Sequence, residues 1–156
     1  MTKEEFTRRI TAMTKTLYRV SYGLLRSEAD REDAVQETIL RAWEKLPTLR
    51  QEAFFETWVV RILINECRSI GRRLGRTVSL AEAPEEPAPE PMDPALREAV
   101  LALPPKYRLA VILHYIEGYG VAEIARMTGV PEGTVKTRLY RARGQLKKTL
   151  EEAQDS

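Results

Sequence analysis

Five of the chain's nine prolines stand within eleven residues, at positions 84, 87, 89, 91 and 94, interleaved with Glu and Ala. Proline lacks an amide hydrogen and holds φ near about −65°, so such a stretch cannot be a helix interior or a central strand. It also carries few apolar groups to bury and is biased towards extended conformations. Residues 77–94 therefore read as a flexible acidic tether between one helical module at 1–76 and a second at 95–156. A long surface loop on a single domain is the competing reading. The length of 156 residues suits one ordinary domain or two small ones.

Charge follows the same division. Lys and Arg number 25 against 23 acids, a formal excess of only +2. Residues 77–95, however, hold five acids and no base, while 1–76 hold 15 bases and 11 acids and 96–156 hold ten and seven. The acidic middle hides two basic modules.

One cysteine and one histidine exclude several chemistries. Cys67 can form no intramolecular disulfide, and no Cys/His metal cluster can be assembled. A Ser-His-Asp or Cys-His site could use only His114, which lies beside Leu113 and Tyr115 in a helical pattern and fits a core or boundary position better. The expectation is no catalytic residue, no metal and no cofactor. The first residues lack the apolar core of a signal peptide, and no apolar run approaches the roughly 20 residues of a membrane span. A cytoplasmic protein without membrane insertion is expected.

In the first module Phe6, Ile10, Met13, Leu17, Val20 and Leu24 recur at helical steps. Asp30 is a candidate N-cap for a second helix running to Leu46, with Val35, Ile39, Ala42 and Leu46 as its buried stripe and Pro47 as its stop. A third helix, about 53–73, is apolar on most of its circumference through Phe55, Val59, Ile62, Leu63 and Ile70, which predicts a central position. Residues 47–52 are left as a loop. In the second module Leu96, Val100 and Leu103 mark a short helix ended by Pro104 and Pro105, and another covers about 106–117. Gly118 and Gly120 break it. The predicted fold class is all-α, two small bundles joined by the tether.

Residues 121–148 have the spacing of a helix-turn-helix. Ala125 is small where the helices cross, Gly129 suits a left-handed turn, and Val135 anchors the second helix. Val135, Leu139, Ala142, Leu146 and Leu150 form its buried face, and Lys136, Thr137, Tyr140, Arg141 and Lys148 lie opposite. Residues 132–148 hold six bases and one acid. A cationic helix with short polar residues near its start fits the major groove, where base edges carry sequence information. A plain αα-hairpin with a solvated face is the alternative.

Two further faces occur in the first module. Trp58, Arg61, Asn65, Arg68 and Arg72 step by three and four along the third helix and share one side. A ring to stack on a base, an amide to read one and guanidiniums to hold phosphates suit a single strand. A core tryptophan with solvating arginines would give the same pattern. On the second helix Asp33, Glu37, Leu40 and Glu44 lie opposite the buried stripe, flanked by Gln36 and Arg41. A leucine ringed by charge reads either as a docking surface or as a solvated face.

Taken together, these segments carry a family resemblance. Asp33-Ala34-Val35-Gln36-Glu37-Thr38-Ile39-Leu40-Arg41-Ala42-Trp43 resembles the core-polymerase-binding segment of bacterial sigma factors. Phe55-Glu56-Thr57-Trp58-Val59-Val60-Arg61-Ile62, followed by Asn65, is similar to their promoter-melting segment. Leu103-Pro104-Pro105-Lys106-Tyr107-Arg108 and Gly133-Thr134-Val135-Lys136-Thr137-Arg138-Leu139-Tyr140-Arg141-Ala142-Arg143 resemble their upstream-element domain. The order and short length match the extracytoplasmic-function subfamily, and the likeness spans about residues 6–150.

The resemblance implies that Asp33, Gln36, Glu37, Leu40 and Arg41 dock on core RNA polymerase, at the clamp helices of its β′ subunit, with the β subunit as a further partner. It implies that Trp58, Arg61, Asn65, Arg68 and Arg72 meet the minus-ten element, with loop 47–54 holding a flipped base. Lys136, Thr137, Tyr140 and Arg141 would meet the minus-thirty-five element of promoter DNA. An anti-sigma factor is the implied regulator. The chain departs from the family pattern at Leu49-Arg50-Gln51-Glu52-Ala53-Phe54, which lacks the glycine often found there, and at Glu66, a carboxylate close to an apolar face. The rival reading is a free-standing helix-turn-helix regulator that binds duplex DNA without polymerase.

Overall fold

The computed structural model of the chain describes residues 1–73 and 93–155. The expected tether, except for Asp93 and Pro94, lies outside the described residues. Those described form seven α-helices and contain no strand: α1 (Lys3–Tyr22), α2 (Glu28–Lys45), α3 (Phe55–Arg73), α4 (Pro94–Leu101), α5 (Pro105–Val111), α6 (Val121–Thr128) and α7 (Glu132–Asp155).

Local sequence sets the helix ends. The Thr2 hydroxyl accepts from the Glu5 amide at 3.1 Å, and Glu4 and Glu5 oppose the positive end of α1. The cap of α2 is Ser27 rather than the expected Asp30: the Ser27 hydroxyl accepts from the Asp30 amide, which puts Asp30 inside the first turn. Both residues are good caps by type, and the serine stands where its oxygen reaches a free amide. Between α2 and α3, short 3-10 turns at Leu46–Thr48 and Glu52–Phe54 replace a featureless loop.

Helix α3 is central, as its apolar circumference predicts. Phe55, Val59, Val60, Leu63, Ile64 and Cys67 are completely buried, packed between α1 and α2. Burying a side chain of this size is worth about 1.5–3 kcal/mol, so these six dominate the first module. A chain of aromatic contacts closes one end, with Phe6 edge-on to both Trp43 and Phe55 at ring separations of 5.1 and 5.8 Å.

In the second module, the Asp93 carboxylate caps α4 by accepting from the Ala95 amide. Leu96, one of the three residues that mark this helix in the sequence, is exposed, and Ala99 and Val100 do the packing. Helix α5 does not run regularly to 117. It widens into a π-turn over Ile112–Ile116, with the Glu117 amide bonded to the Ile112 carbonyl. His114 is half-buried, with Nδ1 2.8 Å from the Tyr119 carbonyl oxygen. Gly129 has φ 74° and ends α6, its amide bonded to the Ala125 carbonyl, before Pro131 opens onto α7.

The two modules are packed directly on each other. Helix α6 lies along α3, and the π-turn meets the end of α1, where a Cβ on Gly23 would collide with Ile112 Cδ1. Arg19 of α1 grips Glu117 with two bonds, Nε–Oε2 at 2.5 Å and Nη2–Oε1 at 2.8 Å. The Glu117 side chain is only 2% exposed, so the pair depends on mutual compensation away from water.

Candidate nucleic-acid interface and docking groove

The first candidate surface is a groove between α2 and α3. Because Asp33, Gln36, Glu37, Leu40 and Arg41 share one face of α2, the helix brings all five to it, and α3 supplies Glu66, Ser69, Ile70 and Arg73. Its volume is about 540 Å³. Leu40 is 57% exposed, a large apolar side chain standing free among charges. Arg41 Nε lies 3.2 Å from Glu37 on its own helix and 2.8 Å from Glu66 on α3. An exposed i,i+4 pair such as Arg41–Glu37 is worth only about 0.3–0.5 kcal/mol. Glu66, 12% exposed, is the partner with more to lose if left alone. The carboxylate that sits awkwardly near the apolar face of α3 thus has a counterion, and sequence spacing could not reveal it because the partner is on another helix.

The second surface is the outer face of α3. Arg61, Asn65, Arg68 and Arg72 are exposed together on it. Trp58 is half-buried: it packs on the core beside Phe55, with ring centroids 6.1 Å apart, and keeps part of its ring open. Although Arg68 is exposed over much of its length, partial desolvation of its guanidinium, with those of Arg138 and Arg72 nearby, lowers its pKa from the ordinary range. Like charges from α3 and α7 therefore approach one another, and an anion between them would relieve the repulsion. The loop at the head of this face is pinned by Arg9, which donates to the Glu52 carbonyl at 2.9 Å. Phe54 at its end is 41% exposed, and the Arg126 guanidinium of α6 lies 4.9 Å from its ring centre.

The third surface lies on the helix-turn-helix. Val135, Leu139 and Ala142 are buried, and Lys136, Thr137, Tyr140 and Arg141 are exposed, Tyr140 at 72%. Beside them is a hollow of about 250 Å³ lined by Lys106, Tyr107, Thr134, Thr137, Arg138 and Arg141. Of these, only Thr137 and Arg141 are DNA contacts expected from the sequence; Lys106, Tyr107, Thr134 and Arg138 occur there only within the family-like segments, because the start of α5 reaches α7 through tertiary packing alone. Arg141 donates to the Tyr107 hydroxyl at 3.4 Å, and that bond, with the neighbouring cations, pulls the phenol below its usual pKa of 10. Three cations around short hydroxyls can hold phosphate oxygens beside a helix able to enter a groove.

Among the described residues no group of three His, Cys, Asp or Glu side chains could hold a metal, and no helix is long and apolar enough to cross a membrane.

Two segments of the chain match known family models. Residues 10–77 match the Sigma-70 region 2 family and residues 94–146 match the Sigma-70 region 4 family. The ECF RNA polymerase sigma factor SigM of Mycobacterium tuberculosis is 34% identical over 144 residues, covering 87% of this chain and 72% of SigM. RNA polymerase sigma factor SigV of Bacillus subtilis is 31% identical over 140 residues, 85% of this chain and 83% of SigV. The sigma factor RpoE from Bartonella quintana, solved in complex with the anti-sigma factor NepR, superposes with a TM-score of 0.77 at 25% identity, covering 95% of this chain and 98% of RpoE. With both sigma regions in order on an all-helical fold, the chain belongs to the extracytoplasmic-function family of RNA polymerase sigma factors.

Proposed function

We propose that the chain directs promoter-specific initiation by docking on core RNA polymerase through the α2–α3 groove, reading the minus-thirty-five element with α7, and holding the opened minus-ten strand on α3. The observation that carries this reading is the separation of three surfaces of different chemistry: a leucine ringed by charge at the groove, a cationic stripe with a half-open indole on α3, and a basic hollow beside α7. A regulator of duplex DNA alone needs only the last.

Each surface has its own task. The groove takes the clamp helices of β′, with Leu40 as the apolar contact and the surrounding charges fixing register. Lys136, Thr137, Tyr140 and Arg141 face base edges, while Lys106 and Arg138 hold phosphates. Trp58 stacks on an unpaired base and Asn65 reads one, and the exposed arginines carry the backbone. Because α6 covers part of α3, with Arg61 bonded to the Arg126 carbonyl, the modules have to part before a strand lies along the whole stripe. Docking on polymerase supplies the free energy for that parting. An anti-sigma factor that covers the groove and the cationic faces is the expected inhibitor.

Electrophoretic mobility shift with and without core polymerase tests this reading. Tight, specific binding of a promoter fragment only when core polymerase is present is expected. Equally tight binding by the chain alone, with preference for palindromes, would establish the free-standing regulator instead.

A further inference from the structure

We infer that Glu66 is a positioning residue of the docking groove: it ties Arg41, which also bonds Glu37 on α2, across to α3, so that the polymerase-facing surface is built from two helices rather than one. The inference rests on the groove being the docking site proposed above.

The geometry carries it. Arg41 has two acidic neighbours at Nε: Glu37, to which it donates a hydrogen bond at 3.2 Å, and Glu66, an ion pair at 2.8 Å. Glu37 lies one turn earlier on the same helix and by itself would hold the guanidinium flat along α2. Glu66 is the neighbour on α3, and the shorter contact is to it. The side-chain exposures rank the two in the same way, 46% for Glu37 and 12% for Glu66. A carboxylate so far removed from water depends on its counterion much more than one that remains solvated. With Arg41 held in this bridge, the groove wall continues from Leu40 through the guanidinium to Ser69 and Arg73 of α3.

The charge pattern has the same meaning. Asp33, Glu37 and Glu66 stand against Arg41 and Arg73, a mixed ring around an apolar centre. A partner reads such a ring through the placement of its charges and not through their sum, so fixing one guanidinium fixes the register of docking.

A double-mutant cycle on the full chain tests this, with affinity for core polymerase as the readout and thermal melting to confirm folding. Glu66→Ala is expected to weaken binding by a factor between roughly twofold and 160-fold, the range of coupling between residues in one ion-pair network. Arg41→Ala is expected to lose at least as much, and the double variant no more than Arg41→Ala alone. Glu66→Gln, which keeps the shape and one acceptor oxygen, is expected to fall between wild type and Glu66→Ala and serves if the alanine variant fails to fold. Wild-type affinity for a folded Glu66 variant, or losses that simply multiply in the double variant, overturn the inference while leaving the docking site standing. Undiminished binding by Arg41→Ala together with Leu40→Ala overturns the docking site itself, and the inference with it.

Discussion

Arg61 of α3 donates from Nη1 to the main-chain carbonyl of Arg126 at 3.1 Å, so a cation of the exposed α3 stripe is tied to the first helix of the helix-turn-helix. Arg126 in turn lays its guanidinium over Phe54, and Arg19 clasps Glu117 at the other edge of the contact. The modules meet across the surface proposed to hold the opened strand.

Breaking the clasp should therefore expose α3. Glu117→Ala removes the acid from a buried pair, a change that costs roughly 3–5 kcal/mol when both partners are buried. Arg19, 22% exposed, recovers some hydration, so the loss falls at or below the low end. The expected result is a larger radius of gyration by small-angle scattering and tighter binding of a single-stranded minus-ten oligonucleotide by fluorescence anisotropy. Unchanged values for both would mean that the clasp does not restrain the modules.

Trp58 is placed to stack on a base and also to pack on Phe55, and two substitutions separate these roles. Trp58→Phe retains a ring on both sides, and a small loss of strand affinity is expected. Trp58→Ala should lose about 1–3 kcal/mol of strand binding, the usual worth of one stacked base. Its melting temperature will also fall because a core contact is lost. Equal strand affinity for wild type and a folded Trp58→Ala would remove Trp58 from the interface.

Base contacts and phosphate contacts on the second module are separable by their salt and sequence dependence. Arg141→Ala should cost roughly 1–3 kcal/mol on the preferred upstream element and relax specificity at one position. Lys106→Ala, at the rim of the same hollow, should weaken all sequences alike and reduce the slope of log K against log salt by about one. Holoenzyme titrations on matched and mismatched promoters at several salt concentrations provide both numbers. A uniform loss from Arg141→Ala would reassign it to a phosphate.

Alkaline pH should destabilise the fold. Burial raises the Cys67 thiol from its ordinary 9.0 to about 12, with Glu66 adding to the rise, and burial raises Tyr119 from 10.0 to about 12. Both groups stay protonated in the folded chain at pH values where the unfolded chain has released the proton. Their stabilising contribution is complete below about pH 9 and is lost as pH climbs towards 12. Urea unfolding should show a falling midpoint over that window, and thiol reagents at neutral pH should modify Cys67 only on unfolding. A flat midpoint from pH 8 to 11 would contradict this account.

Much of the molecule is legible one helix at a time. The exposed stripe from Arg61 to Arg72, the charged face from Asp33 to Arg41 around Leu40 and the turn at Gly129 follow from periodicity and residue type, since each belongs to a single local element. Relations between elements are not legible in this way. Glu66 and Arg41 are 25 positions apart, and Arg19 and Glu117 are 98 apart; no spacing rule connects them. The hollow joining Lys106 to Arg138 needs the start of α5 beside α7. The π-turn escaped because apolar residues at 109–113 suit i→i+4 and i→i+5 bonding alike.

Transcription reconstituted from purified chain, core RNA polymerase and a promoter library measures the central claim most directly. RNA should begin at defined sites that share two sequence elements at a fixed separation, and Leu40→Ala or Arg141→Ala should reduce it. RNA no more abundant and no more site-selective than that from core polymerase alone would contradict the account.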